Sequence, residues 1–202
     1  YRLLVFGKYL GEFQETLAAE VQPLGYILLW NPIRKEAKAT FEYFAEQNVA
    51  IKVISGDNPL TVSNVAQAAG IIGAENYVDA RTLTTMEAQT EALEKYTVFG
   101  RVTPEQKKQF VLLLKKLDHT VAMTGDGVND ILAMKEADCS IAMASGNQAT
   151  AQASQVVLLD SDFSTMPEVV FEGRQVVNNI ERSSSLFLVK NIFSLLMSVF
   201  AM

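Results

Sequence analysis

The strongest motif in the sequence is Thr124-Gly125-Asp126-Gly127-Val128-Asn129-Asp130, a loop in which two carboxylates and an amide follow directly on a short apolar run. That run, residues 120–123, predicts a buried strand, and the two glycines let the backbone turn sharply towards a ligand. Hard oxygen ligands at the end of a strand suit Mg²⁺, which prefers one or two carboxylates together with waters and phosphate oxygens. The alternative is an Asp- and Gly-rich turn in which Asp126 or Asn129 caps a helix.

Short apolar runs alternate with helical patterns on both sides of this loop. Strands are predicted over 49–54, 96–99, 120–123, 140–143 and 156–159, and helices over 59–69, 104–117 and 130–137. Continuous apolar strands separated by helices are typical of a parallel sheet covered on both faces. The fold class is therefore α/β, with a Rossmann-like parallel sheet. The polar loops at 55–57, 101–107 and 124–130 fall at the carboxyl ends of strands, where such sheets bind ligands.

The two ends of the chain have different patterns. Residues 3–6 and 26–30 predict two strands joined by a polar loop, and a helix follows Pro32. From residue 163 onwards no strand pattern remains, and residues 186–202 are apolar except for Lys190, Asn191 and two serines. A membrane span needs about 20 such residues, so this end predicts a helix that enters a membrane. A buried or partner-binding helix is the alternative.

Composition excludes several classes of protein. The net charge of −6 gives no electrostatic footprint for nucleic acid. The single cysteine, Cys139, excludes an internal disulfide and cannot by itself build a soft-metal site. A first residue that is not Met, together with an apolar run that reaches the last residue, predicts that the chain is part of a longer protein.

The 124–130 loop and the residues that follow it, Ala133-Met134-Lys135-Glu136-Ala137-Asp138, resemble the hinge motif of P-type cation-transporting ATPases. These pumps belong to the haloacid-dehalogenase-like phosphotransferases. Further segments resemble the family in the same order: Arg2-Leu3-Leu4, Asn31-Pro32-Ile33-Arg34, Ser55-Gly56-Asp57-Asn58, Arg101-Val102-Thr103-Pro104-Glu105-Gln106-Lys107, Ile141-Ala142-Met143, Val157-Leu158-Leu159-Asp160-Ser161-Asp162-Phe163, and Glu172-Gly173-Arg174 with Asn178-Asn179-Ile180. The resemblance covers nearly the whole chain.

The resemblance implies three regions. Residues 1–30 are expected to end a nucleotide-binding domain and return the chain to the next domain. Residues 31–162 are expected to form the C-terminal part of a phosphorylation domain. Residues 163–202 are expected to be a stalk helix that begins a transmembrane helix.

By the same resemblance, Asp126 binds Mg²⁺, and Asn129 and Asp130 bind phosphate and position the metal, with Asp130 as the second candidate metal ligand. Lys107 offers an ammonium to the phosphate oxygens, where charge must be held during transfer. An exposed helix lysine is the alternative for Lys107. Ser55 is expected to donate a hydrogen bond from its hydroxyl to the phosphate.

The remaining candidate residues surround the phosphate and the nucleotide. Gly56 is expected to donate its backbone N–H to the same phosphate, and Asp57 to lie near the nucleotide and the domain hinge. Arg34 and Arg101 resemble arginines around the nucleotide or the hinge, and Arg2 one that contacts nucleotide phosphate. A surface salt bridge is the alternative for each of these three arginines.

The chain departs from the family pattern in three places, and in one of them Ser55 replaces Thr but keeps the hydroxyl. The family nucleophile lies in an Asp-Lys-Thr-Gly-Thr motif, which is absent from this sequence and is expected upstream of Tyr1. Asp160-Ser161-Asp162 resembles the Asp-x-Asp of soluble phosphatases, but it follows the lysine and the metal loop instead of preceding them. Asn31 stands where the family usually has Asp, which leaves the role of that corner open.

The implied function is that of the catalytic core of an ATP-driven cation pump, with Mg²⁺ and ATP as cofactors. Its partners would be ATP, an inorganic cation, membrane lipid at the C-terminal helix and the other domains of the same polypeptide. The predicted location is the plasma membrane, spanned several times, with this domain in the cytoplasm. A soluble phosphatase of the same superfamily and a non-catalytic Mg²⁺- or phosphate-binding fragment are the alternatives.

Overall fold

The computed structural model describes residues 2–11, 20–29 and 32–201. The chain divides into two compact units, Tyr1–Arg34 and Lys35–Met202. The boundary falls after Arg34, four residues later than the predicted end of the first region. Asn31, the departure from the family pattern, lies outside the described residues.

The first unit is an antiparallel hairpin of two strands, β1 (Arg2–Tyr9) and β2 (Val21–Leu29). The two strands predicted here are present, and both are longer than their apolar runs. Large apolar side chains are exposed on both strands, among them Phe6 at 61% and Tyr26 at 68%. A hairpin of two strands alone is marginally stable in water. Its exposed apolar side chains are those expected of strands that belong to a larger sheet. Its assignment to a nucleotide-binding domain remains a prediction.

The second unit contains six short strands in two parallel sheets. The first sheet has the order β3 (Val53–Ile54), β5 (Val98–Gly100), β4 (Tyr77–Asp79), and the second the order β6 (Ala122–Gly125), β7 (Cys139–Met143), β8 (Val156–Leu158). The α/β class and the parallel pairing are confirmed. Instead of one continuous sheet, the described residues form two, in which β3 and β6 are outer strands.

Seven helices accompany these strands in the described residues: α1 (Ala37–Glu46), α2 (Pro59–Ala68), α3 (Met86–Lys95), α4 (Pro104–Lys116), α5 (Ile131–Glu136), α6 (Gln148–Ala153) and α7 (Met166–Phe200). The helices predicted after Pro59, Pro104 and Asp130 are confirmed. The helix predicted after Pro32 begins five residues beyond that proline. Strand β4 and helices α3 and α6 were not predicted, because the sequence of β4, Tyr77-Val78-Asp79, is not a continuous apolar run and the two helices carry few large apolar side chains.

Helix α4 joins the cores of the two sheets. Phe110 packs with the first core against Phe99, with ring centroids 5.1 Å apart, and both side chains are fully buried. The next residue, Val111, packs with the second core against Met123 and Met134. Adjacent residues on one helix therefore connect the lysine-bearing side of the unit to the 124–130 loop.

Helix α7 has 35 residues, which at 1.5 Å per residue makes it about 52 Å long. Phe163–Phe200 is the one helical segment, among the residues that the structure describes, that is long and apolar enough to cross a membrane. From Phe171 to Phe200 every side chain is exposed. The long helix predicted after residue 163 is confirmed, whereas its role as a stalk and its entry into a membrane remain predictions.

Candidate functional site

The candidate residues lie in loops at the carboxyl ends of four strands. Ser55 follows β3, Arg101 follows β5, Asp126 follows β6 and Asn147 lies beyond β7. Within each parallel sheet, these ends meet at one edge, as expected for a ligand-binding edge. Backbone contacts divide the loops into two groups, one on each sheet.

The first group ties the Ser55 loop to the segment after β5. Ser55 N–H donates to Phe99 O at 2.9 Å, Val102 N–H donates to Ser55 O at 3.0 Å, and Arg101 N–H donates to Asp57 O at 2.8 Å. The Ser55 hydroxyl oxygen accepts from Asp57 N–H at 3.1 Å. The hydroxyl proton therefore stays available to a ligand, and Gly56 is exposed beside it.

Arg101 takes a left-handed backbone conformation, with φ of 56°. A non-glycine residue adopts this conformation at a cost of about 1–3 kcal/mol, and the bond to Asp57 O helps to hold it. Its charge also acts on Asp79 at the end of β4. Arg81 holds the pKa of the Asp79 carboxyl at about 2 through hydrogen bonds from its guanidinium and its backbone N–H, and Arg101 adds a smaller electrostatic contribution.

Helix α4 positions Lys107 through its first turn. Thr103 and Gln106 form a capping box, and Pro104 occupies the first turn, where its missing N–H costs nothing. Gln106 Nε2 also donates to Ala80 O at 3.0 Å. The start of α4 is thus fixed on the first sheet, one residue before Lys107.

Lys107 and Asp130 form an ion pair, with 2.7 Å between Lys107 Nζ and Asp130 Oδ1. The two side chains are 12% and 11% exposed. The pair therefore excludes the prediction's alternative of an exposed helix lysine. It joins the lysine-bearing helix to the Val128–Asp130 turn of the second group.

Gly125 is required for this arrangement. A Cβ at Gly125 would lie 2.6 Å from Asp130 Cβ and 2.8 Å from Asp130 Oδ2, distances that a real side chain does not tolerate. The glycine thus lets the chain fold Asp130 back over the end of β6, where its carboxylate reaches Lys107.

Asp126 and Asn129 lie on the exposed side of the same loop. The backbone of Asp126 is held from the next loop, because Asn147 N–H donates to Asp126 O at 2.8 Å. The Asp126 carboxylate forms no ion pair with the described residues. It is therefore open to a ligand, whereas one oxygen of Asp130 already binds an ammonium.

The donor set fits Mg²⁺ better than a cation that needs a protein cage. Across residues 2–11, 20–29 and 32–201, no three His, Cys, Asp or Glu side chains gather in a way that could hold a metal. Mg²⁺ keeps several waters and takes one or two carboxylates with substrate phosphates. Asp126, exposed directly after β6, offers one such carboxylate, and the second oxygen of Asp130 lies within the same loop. The strand β6 was predicted to be buried, but Met123 is its one buried residue.

Some predicted residues are not brought together. In the described part of the chain, no hydrogen bond or ion pair joins the Ser55 loop directly to the 124–130 loop. Arg34 is exposed and belongs to the first unit. Arg2 begins β1, and its side chain lies outside the described residues. The roles of both arginines remain predictions.

Sequence reasoning missed the loop after β7. Gly146 and Asn147 contact the backbone of Asp126, although 20 residues separate Gly146 from it in the chain. A Gly-Asn pair ahead of a helical pattern was the available signal, since Asn favours the N-cap position. That signal indicates a helix start, and it does not identify the loop that the turn contacts.

The chain belongs to the haloacid dehalogenase-like hydrolases, whose family model matches residues 5–138. It is 51% identical over 181 residues to the probable cation-transporting ATPase exp7 of Streptococcus pneumoniae serotype 4, a match that covers 90% of this chain and 23% of that protein. It is 48% identical over 181 residues to the calcium-transporting ATPase CtpE of Mycobacterium tuberculosis, covering 89% of this chain and 22% of that protein. The predicted resemblance to cation-transporting ATPases is confirmed. The chain spans less than a quarter of the length of these relatives.

A solved structure supports the fold. The catalytic domain of the CPx-ATPase CopB-B, studied for its conformational changes upon nucleotide binding, matches with a TM-score of 0.56 and 22% identity. The match covers 81% of this chain and 56% of that one.

Proposed function

We propose that this chain is the C-terminal part of the phosphorylation domain of a P-type cation-transporting ATPase. In the longer protein it would bind Mg²⁺ and the phosphoryl group while an aspartyl phosphate forms and hydrolyses. The observation that carries the proposal is the buried Lys107–Asp130 ion pair, which joins two sheets beside the open carboxylate of Asp126. A phosphoryl-transfer site needs such a fixed cation next to a metal-binding carboxylate.

Each residue has a distinct task in this proposal. The Lys107 ammonium would hold negative charge on the transferred phosphoryl group, and the Ser55 hydroxyl and Gly56 N–H would donate to its oxygens. Asp126 would bind Mg²⁺ with Asp130 as second ligand or support, and Asn129 would contact phosphate. Bound Mg²⁺ would neutralise phosphate charge and orient the group for in-line attack.

On the second unit, the nucleotide would contact the Ser55 loop and the segment that follows β5. Asp57 and Arg101, tied to each other by a backbone hydrogen bond of 2.8 Å, are the candidates in the second unit. Arg2 and Arg34 are the candidates in the first. ATP would be the phosphoryl donor, and the relatives whose names contain ATPase support this proposal.

The phosphorylated aspartate would lie upstream of Tyr1, on a strand that pairs with the open edge of β3 or β6. Both are outer strands in the described residues, and each carries candidate site residues at its carboxyl end. Asp162 is a poor nucleophile here, because its Oδ1 accepts from Ser164 N–H at 3.0 Å and its carbonyl accepts from the Thr165 hydroxyl at 2.8 Å. Those bonds begin the turn that leads into α7.

The relatives and helix α7 support proposals for the cation and for the location. Ca²⁺ is the first cation to test, because the mycobacterial relative is named a calcium-transporting ATPase. The apolar segment Phe163–Phe200 would enter the plasma membrane, contact lipid and leave this domain in the cytoplasm.

The test is phosphoenzyme formation from ATP in the longer protein. Asp126→Ala should abolish it, and Lys107→Ala should slow it severely. The matched controls are Asp160→Ala, which removes an exposed acid, and Lys108→Ala, which removes a surface ion pair with Glu136. Both control variants should form the phosphoenzyme normally. Normal phosphoenzyme levels in Asp126→Ala would refute the metal assignment, and loss in Asp160→Ala would favour the phosphatase alternative.

A further inference from the structure

We propose that Gly146 and Asn147, here called the 146–147 turn, position the metal-binding residue Asp126. This inference rests on the proposed function, because it assigns a role towards the same Mg²⁺ site. The turn follows β7, whereas Asp126 follows the neighbouring strand β6. A change in the turn would therefore act on the Asp126 carboxylate through the backbone of Asp126, and not through a side chain of the turn.

The first observation is a hydrogen bond between the two loops. Asn147 N–H donates to Asp126 O at 2.8 Å. This bond fixes the carbonyl of the residue whose carboxylate is proposed to meet the metal. Because the side chain leaves the same residue, its direction follows the orientation of that peptide.

The second observation is a close approach of the two backbones. A Cβ at Gly146 would lie 2.5 Å from Asp126 O, 3.0 Å from Asp126 Cα and 3.1 Å from Asp126 C. All three are backbone atoms, which cannot rotate away as the end of a flexible side chain can. Any side chain at position 146 must therefore push Asp126, the turn or both.

The third observation is that the turn itself is anchored. Gly146 N–H donates to Met143 O at 3.0 Å, and Asn147 O accepts from the N–H groups of Thr150 and Ala151 at 3.0 and 3.1 Å. The Asn147 side chain caps α6 by accepting from Ala149 N–H at 2.9 Å. The turn is thus part of the β7–α6 connection, and α6 in turn packs on α5 and on the Val128–Asp130 turn.

These contacts hold the backbone of Asp126 from the neighbouring loop. The exposed carboxylate has no ion-pair partner among the described residues to orient it. Residues that orient a metal ligand without touching the metal typically change metal affinity or activity by about 10- to 100-fold when they are mutated. We expect the 146–147 turn to act in this range.

Two pairs of variants separate positioning from general stability. Gly146→Ala adds the clashing methyl group, and its matched control is Gly173→Ala, where a Cβ meets nothing within 4 Å. Asn147→Pro removes the N–H that binds Asp126, and the observed φ of −71° suits proline. Asn147→Ala also loses the side-chain cap but keeps the N–H, so it is the reference for Asn147→Pro.

The first readout needs no catalysis. Mn²⁺, used as a paramagnetic substitute for Mg²⁺, is titrated into the longer protein without nucleotide, and bound Mn²⁺ is counted by electron paramagnetic resonance. Gly146→Ala relative to Gly173→Ala, and Asn147→Pro relative to Asn147→Ala, should each weaken Mn²⁺ binding by about tenfold or more. Hydrogen exchange of the peptide spanning residues 124–130, measured without metal, should be faster in Asn147→Pro than in Asn147→Ala.

The second readout is the Mg²⁺ concentration that gives half-maximal phosphoenzyme, which should rise by the same factor in the same variants. Equal Mn²⁺ affinity in Asn147→Pro and Asn147→Ala would overturn the inference, even if Gly146→Ala fails to fold. A wild-type protein that binds no Mn²⁺ at all would instead refute the proposed metal site. The two failures are therefore distinguishable.

Discussion

The ion pair between Lys107 and Asp130 should couple the stability of the two halves of the second unit. The perturbation is a cycle of three variants, Lys107→Met, Asp130→Asn and the double variant. Met keeps most of the length and volume of the lysine side chain, and Asn keeps an oxygen that accepts a hydrogen bond. The cycle therefore removes one charge, then the other, then both.

The magnitude follows from the geometry of the pair. At 2.7 Å, two unit charges attract by about 6 kcal/mol for an effective dielectric constant near 20. Desolvation offsets most of this attraction, since both side chains are about nine-tenths buried, so the intact pair contributes little net stability. Removing one partner leaves a buried charge alone and costs about 3 kcal/mol.

The loss should be largest in Lys107→Met, where the carboxylate of Asp130 loses its only ion-pair partner among the described residues. Asp130→Asn should lose about 2 kcal/mol, because the amide oxygen can still accept from the ammonium. The double variant buries no charge at this position and should recover much of the loss. The double variant should therefore cost about 2 kcal/mol, compared with about 5 kcal/mol for the two single losses added, which gives a coupling energy of about 3 kcal/mol between the two positions.

Cys139 makes the assay simple, because it is the one cysteine in the chain and is half-buried at the start of β7. The chain is equilibrated in increasing urea and pulsed with a thiol reagent, and the labelled fraction reports unfolding of the second sheet. With a urea dependence of about 2 kcal/mol per M, a loss of 3 kcal/mol lowers the midpoint by about 1.5 M.

Lys108→Met is the control, because Lys108 pairs with Glu136 at the surface and should cost less than about 1 kcal/mol. A coupling energy below about 0.5 kcal/mol in the Lys107 and Asp130 cycle would contradict the predicted coupling of the two positions. It would mean that the pair is not formed as a buried contact between the two sheets.

Three further perturbations test the surroundings of the site. The pKa of Asp138 is lowered, because Val121 N–H and then Lys115 donate hydrogen bonds to its carboxylate. A carboxyl group whose pKa is lowered by folding stabilises the fold above its usual pKa, and this contribution is lost as the pH falls through the pKa of the folded state. Asp138→Asn should therefore lower the urea midpoint at neutral pH and change it little in acid. An equal change at both pH values would contradict this. Gly100→Ala should destabilise the chain by about 1–3 kcal/mol, because its Cβ would lie against Pro59 Cα. Gly173→Ala should not destabilise it, because a Cβ there meets nothing within 4 Å. Equal urea midpoints for the two variants would exclude the close approach of Gly100 to Pro59. Thr150→Val should be neutral or stabilising, since the buried Thr150 hydroxyl has no hydrogen-bond partner in the described residues and its removal leaves no buried polar group unpaired. A large loss of stability would reveal an unrecognised partner such as water.

Local signals in the sequence predicted the elements that they govern. Pro59 and Pro104 each occupy a first helical turn, next to the capping residues Asn58 and Thr103. Apolar runs next to these helices became strands, and the polar loop at 124–130 follows a strand as predicted. These features depend on a few neighbouring residues, so the sequence is sufficient to predict them.

Features that depend on distant residues were not visible. Lys107 and Asp130 are 23 residues apart, and their pairing depends on how α4 packs against the second sheet. The contact of Gly146 with Asp126 requires two neighbouring strands to present their loops at one edge. The separation into two sheets was missed because the apolar pattern of a strand does not indicate which strands pair.

We propose that residues 1–202 hold the groups that stabilise a phosphoryl group and that the aspartate that accepts it lies elsewhere in the longer protein. The most direct measurement is to incubate the longer protein with radiolabelled ATP and Mg²⁺, quench it in acid and map the labelled peptide. We expect an acid-stable, hydroxylamine-sensitive phosphate on an aspartate upstream of Tyr1, with none on residues 1–202. Label on Asp160 or Asp162, or no acyl phosphate in a protein that hydrolyses ATP, would contradict it.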